Sequence, residues 1–212
     1  EDTLEIDRIL ALAENAPDLN APESLSQKNP AFDFRLPQKL RIGVAKDEAF
    51  CFFYEDNFRL LQEMGAELVE FSPVHDAHLP KNLDGMLLYG GYPELNGEAL
   101  EQNESMKTEI VQAVNGGMPC MAECGGFMYL HERMEDMDGI SRKTCGVIPG
   151  KCFRTPKLTR FGYITLTAGL PVFGQKAEEI GKIPAHEFHY FDSENCGSDF
   201  HAAKPLSKRG WD

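Results

Sequence analysis

The stretch MPCMAECGGFMYL, residues 118–130, decides how the rest of this 212-residue sequence is interpreted. It begins with mostly apolar residues, continues with a glutamate, a cysteine and two glycines at positions 123–126, and then becomes apolar again. This order is typical of a buried strand that turns sharply into a helix, because such a turn needs small residues that let the backbone pass closely. We therefore predict that Cys124 lies at the tip of a strand-to-helix turn.

Strand-like and helix-like segments alternate on the N-terminal side of this stretch. Short β-rich runs are followed by segments with the apolar spacing of helices, one of which ends at a glycine. The predicted strands span residues 40–46, 66–73, 84–91 and 118–123, and the predicted helices span residues 53–65 and 96–117. This alternation implies an α/β fold with a mostly parallel sheet and helices on both faces. Residues after 140 read as further strands, so we expect a β-rich C-terminal half.

The first 38 residues have a different character. Apolar residues between positions 2 and 13 follow a helical stripe, which predicts a short amphipathic helix. Residues 15–38 are rich in Pro, Asn and Ser and have no apolar period, which indicates a linker. We therefore expect residues 1–38 to be a helix and linker from a preceding domain, and residues 39–212 to be the main domain, with truncation at its C-terminus left open.

Composition limits the classes of partner and the cellular compartment. The chain has 34 acidic and 21 basic residues and a formal net charge of −13, which argues against nucleic acid, whose binding depends on clustered Lys and Arg. Neither a secretory leader nor an apolar run of roughly 18 residues is visible, so we expect no membrane partner. Six cysteines without regular spacing predict reduced thiols in a cytoplasmic protein.

The predicted position of Cys124 suggests a nucleophile, because ligands bind at the carboxyl ends of strands in parallel sheets. We expect the start of the following helix to lower the thiol pKa. Backbone N–H groups of Gly125 and of Gly90 and Gly91, in the predicted facing loop, could stabilise an oxyanion. On spacing alone a small buried cysteine is the commoner interpretation. A zinc site with Cys120 is not expected, because the two residues would lie about 13 Å apart on one strand.

Four motifs in order carry a family resemblance. They are residues 44–76 (VAKDEAFCFFYEDNFRLLQEMGAELVEFSPVHD), 84–95 (DGMLLYGGYPEL), 118–130 and 186–190 (HEFHY). Together they resemble the glutamine amidotransferase domain of the cobyrinic acid a,c-diamide synthase family over about residues 40–192. The resemblance implies a flavodoxin-like, class I glutamine amidotransferase fold. It also implies that residues 1–38 close a preceding ATP-binding domain.

The resemblance implies a reaction and its site. Cys124 would attack the side-chain amide of glutamine, release ammonia and form a thioester that water hydrolyses. Gly90, Gly91, Tyr92 and Gly125 would form the oxyanion and glutamine-binding site. The ammonia would serve an ATP-dependent amidation of the a and c acetate side chains of a corrin in cobalamin biosynthesis.

The resemblance also implies partners that this chain does not supply. The sequence contains no G-x-x-x-x-G-K-[ST] phosphate loop. ATP and Mg are therefore expected on the separate ATP-binding domain, and no cofactor or metal is expected on this chain. Glutamine and that ATP-binding domain are the expected partners.

A general base is the least defined part of the predicted site. His189 is the candidate in the last motif, and His186, three residues earlier on the same predicted strand, should point to the opposite face. The family carries a later histidine motif that this sequence does not reach, so the resemblance favours a base beyond Asp212, with His186 and His189 as pocket residues. Three residues are candidates for binding the ammonium group of glutamine: Tyr92, Glu94 and Glu123. The side chain of Glu123 should point away from Cys124. Arg160 and Tyr163 could line the mouth of the site or cap a hairpin.

Three alternatives to this function stay open at the sequence level. A related synthase amidates nickel sirohydrochlorin, and its glutaminase half would look much the same. A hydrolase of other γ-glutamyl or peptide substrates could use the same turn. A non-catalytic module could keep the fold only to dock an ATP-dependent partner.

Overall fold

The computed structural model describes residues 4–18, 38–172, 174–205 and 210–211. The chain divides into two units, Glu1–Arg35 and Leu36–Asp212. In the first unit, α1 (Ile6–Glu14) corresponds to the predicted amphipathic helix, and none of its residues is buried. The predicted linker lies outside the described residues except for positions 15–18 and 38.

The second unit begins with a four-stranded parallel sheet. Its strands are β1 (Arg41–Ala45), β2 (Glu67–Phe71), β3 (Gly85–Leu88) and β4 (Cys120–Ala122). Their order is β2-β1-β3-β4, and every neighbouring pair is parallel. This is the strand order of flavodoxin-like sheets, in which the crossover helices must lie on both faces.

Four helices accompany this sheet. They are α2 (Glu55–Glu63), α3 (Gly97–Gln102), α4 (Glu104–Asn115) and α5 (Gly125–Leu130). The sequence predicted one helix over 96–117, but the structure divides it at Asn103. There the side-chain oxygen accepts the Met106 N–H, and the side-chain amide donates to the carbonyl groups of Pro73 and Asp76, 2.9 and 2.8 Å away. Asn103 thus caps α4 and attaches it to the loop after β2.

Alternate residues of the sheet face two different apolar cores, as the period of a strand requires. On one face, Val44 packs in a cluster with Phe58 of α2 and with Tyr89. On the other face, Ala45 belongs to a cluster with residues of α4 and α5, including Ile110. The predicted arrangement of helices on both faces is therefore confirmed.

The C-terminal half is β-rich, as predicted, but it forms two further sheets. One contains β5 (His131–Glu135), β6 (Ser141–Lys143), β7 (Ile148–Arg154) and β10 (Phe191–Ser193), in the order β10-β7-β5-β6. The other contains β8 (Arg160–Ala168), β9 (Lys182–His189), β11 (Phe200–Ala203) and β12 (Gly210–Trp211), in the order β12-β11-β8-β9. A short helix, α6 (Ala177–Ile180), precedes β9. No helix in the described part of the chain is long and apolar enough to cross a membrane.

Candidate active site

Cys124 occupies a strained turn between β4 and α5. Its φ and ψ are 48° and −110°, so this non-glycine residue has a positive φ. Such a backbone conformation is uncommon outside glycine and costs free energy that the surrounding structure must offset. The residue as a whole is exposed, but its sulfur lies deep enough in the turn for burial to raise its pKa. The geometry matches the strand-to-helix turn that the sequence predicted.

Two glycines after Cys124 allow the helix to approach β3 and its following loop. A Cβ atom on Gly126 would lie 1.9 Å from the carbonyl oxygen of Leu88, and one on Gly125 would lie 2.8 Å from Cδ of Pro93. The Gly126 N–H donates to the carbonyl oxygen of Tyr89 at 3.0 Å. A side chain at either position would therefore push the helix away from the strand ends.

The loop after β3 faces the thiol. A Cβ atom on Gly90 would lie 3.3 Å from Cβ of Cys124 and 3.6 Å from its Sγ. The backbone N–H groups of Gly91 and Gly125 lie near enough to the Cys124 sulfur to lower its pKa. Tyr92, which is 53% exposed, continues the same loop. The structure thus brings the predicted glycines and Cys124 together, with two N–H donors near one sulfur atom.

Electrostatics at the thiol differ from the sequence expectation. Burial raises the pKa of Cys124, the N–H groups of Gly125 and Gly91 lower it, and the charges of Glu94 and Glu123 raise it further, with a net increase. The predicted lowering by the start of a helix is wrong in its net direction. Burial of the sulfur is the largest cause of the rise, two carboxylates add to it, and α5 has only six residues to oppose them. At neutral pH the resting group is therefore the thiol.

Acidic side chains of two different loops act on this site. Burial raises the pKa values of both Glu94 and Glu123, and the charge of Arg154 partly offsets this for Glu94. Glu123 was expected to point away from Cys124, yet its carboxylate is close enough to raise the thiol pKa. Sequence reasoning missed Arg154, because this residue ends β7 in another sheet and no motif marks it.

The two candidate histidines lie on β9, in the third sheet, and face different surroundings. The Nδ1 of His189 lies 2.6 Å from the carbonyl oxygen of Phe191. The ring of His186 contacts the rings of Phe161 and Tyr163, with centroids 5.8 and 5.3 Å away. Within the described residues, no hydrogen bond joins Cys124 to a histidine, and none of the groups that shift its pKa is a histidine.

The remaining predicted site residues, Arg160 and Tyr163, belong to the third sheet. The guanidinium of Arg160 lies 3.8 Å from Glu187 and over the ring of Trp211, 4.8 Å from its centroid. Tyr163 is 75% exposed. The contacts of Arg160 and of Tyr163, whose ring meets that of His186, are thus with residues of the third sheet.

No described group of three or more His, Cys, Asp or Glu residues could hold a metal ion. All six cysteines are free. Burial raises the pKa of Cys120 to about 11 and that of Cys145 to about 12. These two thiols therefore stay protonated, unlike a catalytic nucleophile at work.

The sequence of this chain was compared with those of known proteins, and it matches one family model and several curated enzymes. The family model of the CobB/CobQ-like glutamine amidotransferase domain matches residues 41–203. Cobyrinate a,c-diamide synthase of Dehalococcoides mccartyi (strain ATCC BAA-2266 / KCTC 15142 / 195) is 45% identical over 167 residues, covering 77% of this chain and 35% of that protein. The enzyme of the same name from Priestia megaterium is 36% identical over 206 residues, covering 97% of this chain and 41% of that protein. The chain thus spans well under half the length of these relatives.

A solved structure supports the fold independently. A chain from the structure of PurLQS from Thermotoga maritima is 17% identical and superposes with a TM-score of 0.54, covering 79% of this chain and 76% of that one. At this identity the likeness concerns the fold alone. It confirms the predicted class I glutamine amidotransferase fold.

Proposed function

Since this chain belongs to the family of CobB/CobQ-like glutamine amidotransferase domains, we propose that it hydrolyses glutamine at Cys124 and supplies ammonia to an amidation. The observation that carries the proposal is the position of Cys124 on a strained turn, with the loop of Gly90 and Gly91 packed against its sulfur and the Gly91 and Gly125 N–H groups lowering its pKa. A nucleophile held beside two backbone donors suits attack on an amide carbonyl.

The proposed reaction has two halves. The sulfur of Cys124 attacks the side-chain carbonyl carbon of glutamine, and the N–H groups of Gly91 and Gly125 hold the negative oxygen of the tetrahedral intermediate. The carbon–nitrogen bond then breaks, a proton passes to the leaving nitrogen, and ammonia departs from a γ-glutamyl thioester. Water attacks the thioester, the carbon–sulfur bond breaks, and glutamate and the thiol are regenerated.

A base must take the thiol proton, because the pKa of Cys124 is raised. We propose His189 for this role. Its Nδ1 faces a backbone carbonyl oxygen, which can only accept, so a neutral ring carries its proton on Nδ1 and leaves Nε2 unprotonated. A base that lies outside these 212 residues is the alternative.

Recognition of glutamine is proposed to use the charges around the thiol. Glu94 and Glu123 suit the α-ammonium group, and Arg154, whose charge acts on Glu94, suits the α-carboxylate. An ammonium bound between the carboxylates would offset their repulsion of the thiolate. Tyr92, exposed on the facing loop, is proposed to cover the bound amino acid.

The use of the ammonia is proposed from the relatives named cobyrinate a,c-diamide synthase. We propose that ATP and Mg on a separate ligase domain activate the a and c acetate carboxylates of a corrin in the cytoplasm, and that ammonia from this domain forms the amides. The cobalt-containing corrin is preferred to a nickel tetrapyrrole because both of these relatives carry the cobyrinate name.

A glutamine-derived affinity label tests the proposal. Incubation with 6-diazo-5-oxo-norleucine should modify one site, identified by mass spectrometry as Cys124, and Cys124→Ser should not be modified. Ammonia release from glutamine is then measured with and without the ligase domain of a relative. Absence of both labelling and ammonia release under either condition would leave only a docking module. Release from γ-glutamyl peptides but not from glutamine would indicate a different hydrolase.

A further inference from the structure

Asp47, which follows β1, accepts four hydrogen bonds. Its Oδ1 accepts from the backbone N–H groups of Ala49 and Phe50, 2.9 and 3.0 Å away. Its Oδ2 accepts from the Ser72 hydroxyl at 2.7 Å and from the Val74 N–H at 3.0 Å. The carboxylate therefore joins the loop after β1 to the loop after β2, at the carboxyl end of the sheet.

The loop that Asp47 shapes holds the glycine loop at the candidate active site. The carbonyl oxygen of Ala49 accepts the Tyr92 N–H at 2.9 Å, and the Phe52 N–H donates to the carbonyl oxygen of Gly90 at 3.0 Å. These two hydrogen bonds lie on either side of Gly91. A Cβ atom on Gly91 would lie 2.1 Å from the Ala49 oxygen, so the two loops are in direct backbone contact.

We propose that Asp47 is a positioning residue, which fixes the direction of the Gly91 N–H toward Cys124 through the Ala49–Phe52 segment. The catalytic consequence rests on the function proposed above. The path runs from Asp47 to Ala49, from the Ala49–Phe52 segment to the Tyr92 N–H and the Gly90 carbonyl on either side of Gly91, and from the Gly91 N–H to the sulfur. In the described structure, none of the hydrogen bonds that the Asp47 side chain accepts comes from Cys124.

Position 47 requires a carboxylate, because four hydrogen-bond donors point at this side chain. Both of its oxygens accept twice, and Ala49 is fully buried, so its N–H group has no water as a substitute partner, whereas the Phe50 N–H also donates to the Asp47 carbonyl oxygen at 3.2 Å. Asparagine offers one accepting oxygen, and its amide group would face two donors. Asp47→Asn should therefore release one of the two loops while preserving the shape of the side chain.

The alkylation rate of Cys124 depends on whether the Gly91 N–H points toward the sulfur. This rate can be measured without glutamine. This N–H stabilises the thiolate, and Glu94 and Glu123 destabilise it, so loss of the donor leaves a smaller thiolate fraction at neutral pH. We expect iodoacetamide to alkylate Cys124 about tenfold more slowly at pH 7 in Asp47→Asn than in the unchanged chain. The pH midpoint of the rate should move upward, whereas the exposed Cys196 provides an internal reference that should not change.

Asp76→Asn is the matched control. Asp76 accepts the Ser72 N–H at 2.7 Å at the same end of the sheet, but its side chain has no hydrogen bond to the segment 47–52 in the described structure. Its midpoint should equal that of the unchanged chain. Equal midpoints for Asp47→Asn and the unchanged chain would overturn the proposal, as would the same displacement in both variants.

A second variant keeps the test valid if Asp47→Asn does not fold. Ser72→Ala removes one of the four donors to Asp47, so the rate at Cys124 should fall by a smaller factor. An unchanged rate would overturn the proposal. Because alkylation requires no turnover, slower alkylation without ammonia release from the unchanged chain would refute the proposed function and support the positioning role. Ammonia release with unaltered alkylation in both variants would do the reverse.

Discussion

The Nε2 atom of His131 lies 2.7 Å from the hydroxyl oxygen of Ser193, and this contact connects the helix of the candidate nucleophile with a strand of the second sheet. His131 directly follows α5, is fully buried, and has its Nδ1 2.9 Å from the carbonyl oxygen of Phe127. Ser193 is the last residue of β10. One imidazole ring thus hydrogen-bonds both a carbonyl group of α5, the helix that follows Cys124, and the Ser193 hydroxyl of β10.

Replacing His131 by alanine should destabilise the fold. The change leaves a cavity and removes one of the hydrogen-bond partners of the Ser193 hydroxyl, so we expect a loss of about 2–4 kcal/mol in the free energy of unfolding. Urea denaturation followed by circular dichroism measures this loss. The control is His186→Ala, which removes an imidazole from an exposed face and should change stability by less than about 0.5 kcal/mol. Equal losses in both variants would contradict a special role for the contact.

Alanine at Gly91 should abolish one oxyanion donor. Its Cβ atom would meet the Ala49 carbonyl oxygen at 2.1 Å, so the loop must move and its N–H must leave the sulfur. We expect kcat for ammonia release to fall about 10²–10³-fold, as for loss of one such donor. The control is Gly169→Ala, where the nearest atom would be 3.5 Å from the new Cβ. A Gly91→Ala variant with normal kcat would exclude this N–H from the reaction.

Neutralising the carboxylates at the thiol should make Cys124 more reactive toward a neutral reagent. The charges of Glu94 and Glu123 raise the pKa of the thiol, so Glu94→Gln or Glu123→Gln should lower it and move the midpoint of iodoacetamide alkylation to lower pH. Glutamine binding should weaken in the same variants, because the proposed partners of its ammonium are lost. Faster alkylation with unchanged KM would separate the electrostatic effect from recognition and count against the recognition proposal.

The substitution His189→Gln should slow ammonia release about 10²-fold or more if His189 accepts the thiol proton. His186→Gln is the control, because its ring packs against Phe161 and Tyr163 on the other face of the hairpin. The rate of ammonia release should fall in His189→Gln and stay unchanged in His186→Gln. Retention of full activity there would direct attention to a base outside these 212 residues.

Local sequence was enough to predict the turn at Cys124 and the loop that faces it. Gly125 and Gly126 follow the cysteine directly and lie between a strand and a helix. These neighbouring residues alone indicate a sharp turn, so no knowledge of distant contacts is needed. The parallel sheet followed from βαβ alternation for the same reason.

The parts that the sequence did not predict depend on contacts between distant residues. Asn103 divides a helical pattern because its side chain bonds to backbone carbonyls about 30 residues earlier. Arg154 acts on Glu94 from another sheet, and the net pKa of Cys124 depends on Glu94, 30 positions away in sequence. Periodicity and spacing describe neighbours along the chain, so they contain no information about these contacts.

Trp211, the single tryptophan of the chain, lies on β12 of the third sheet, with the charged ends of Arg160 and Lys204 over its ring. Intrinsic fluorescence excited at the indole therefore reports on that sheet, while the turn at Cys124 contributes nothing to it. Comparison of the fluorescence and circular dichroism transitions becomes a direct measure of cooperativity. Coincident midpoints would mean that the three sheets melt as one unit, and an earlier fluorescence transition would mean that the third sheet opens first.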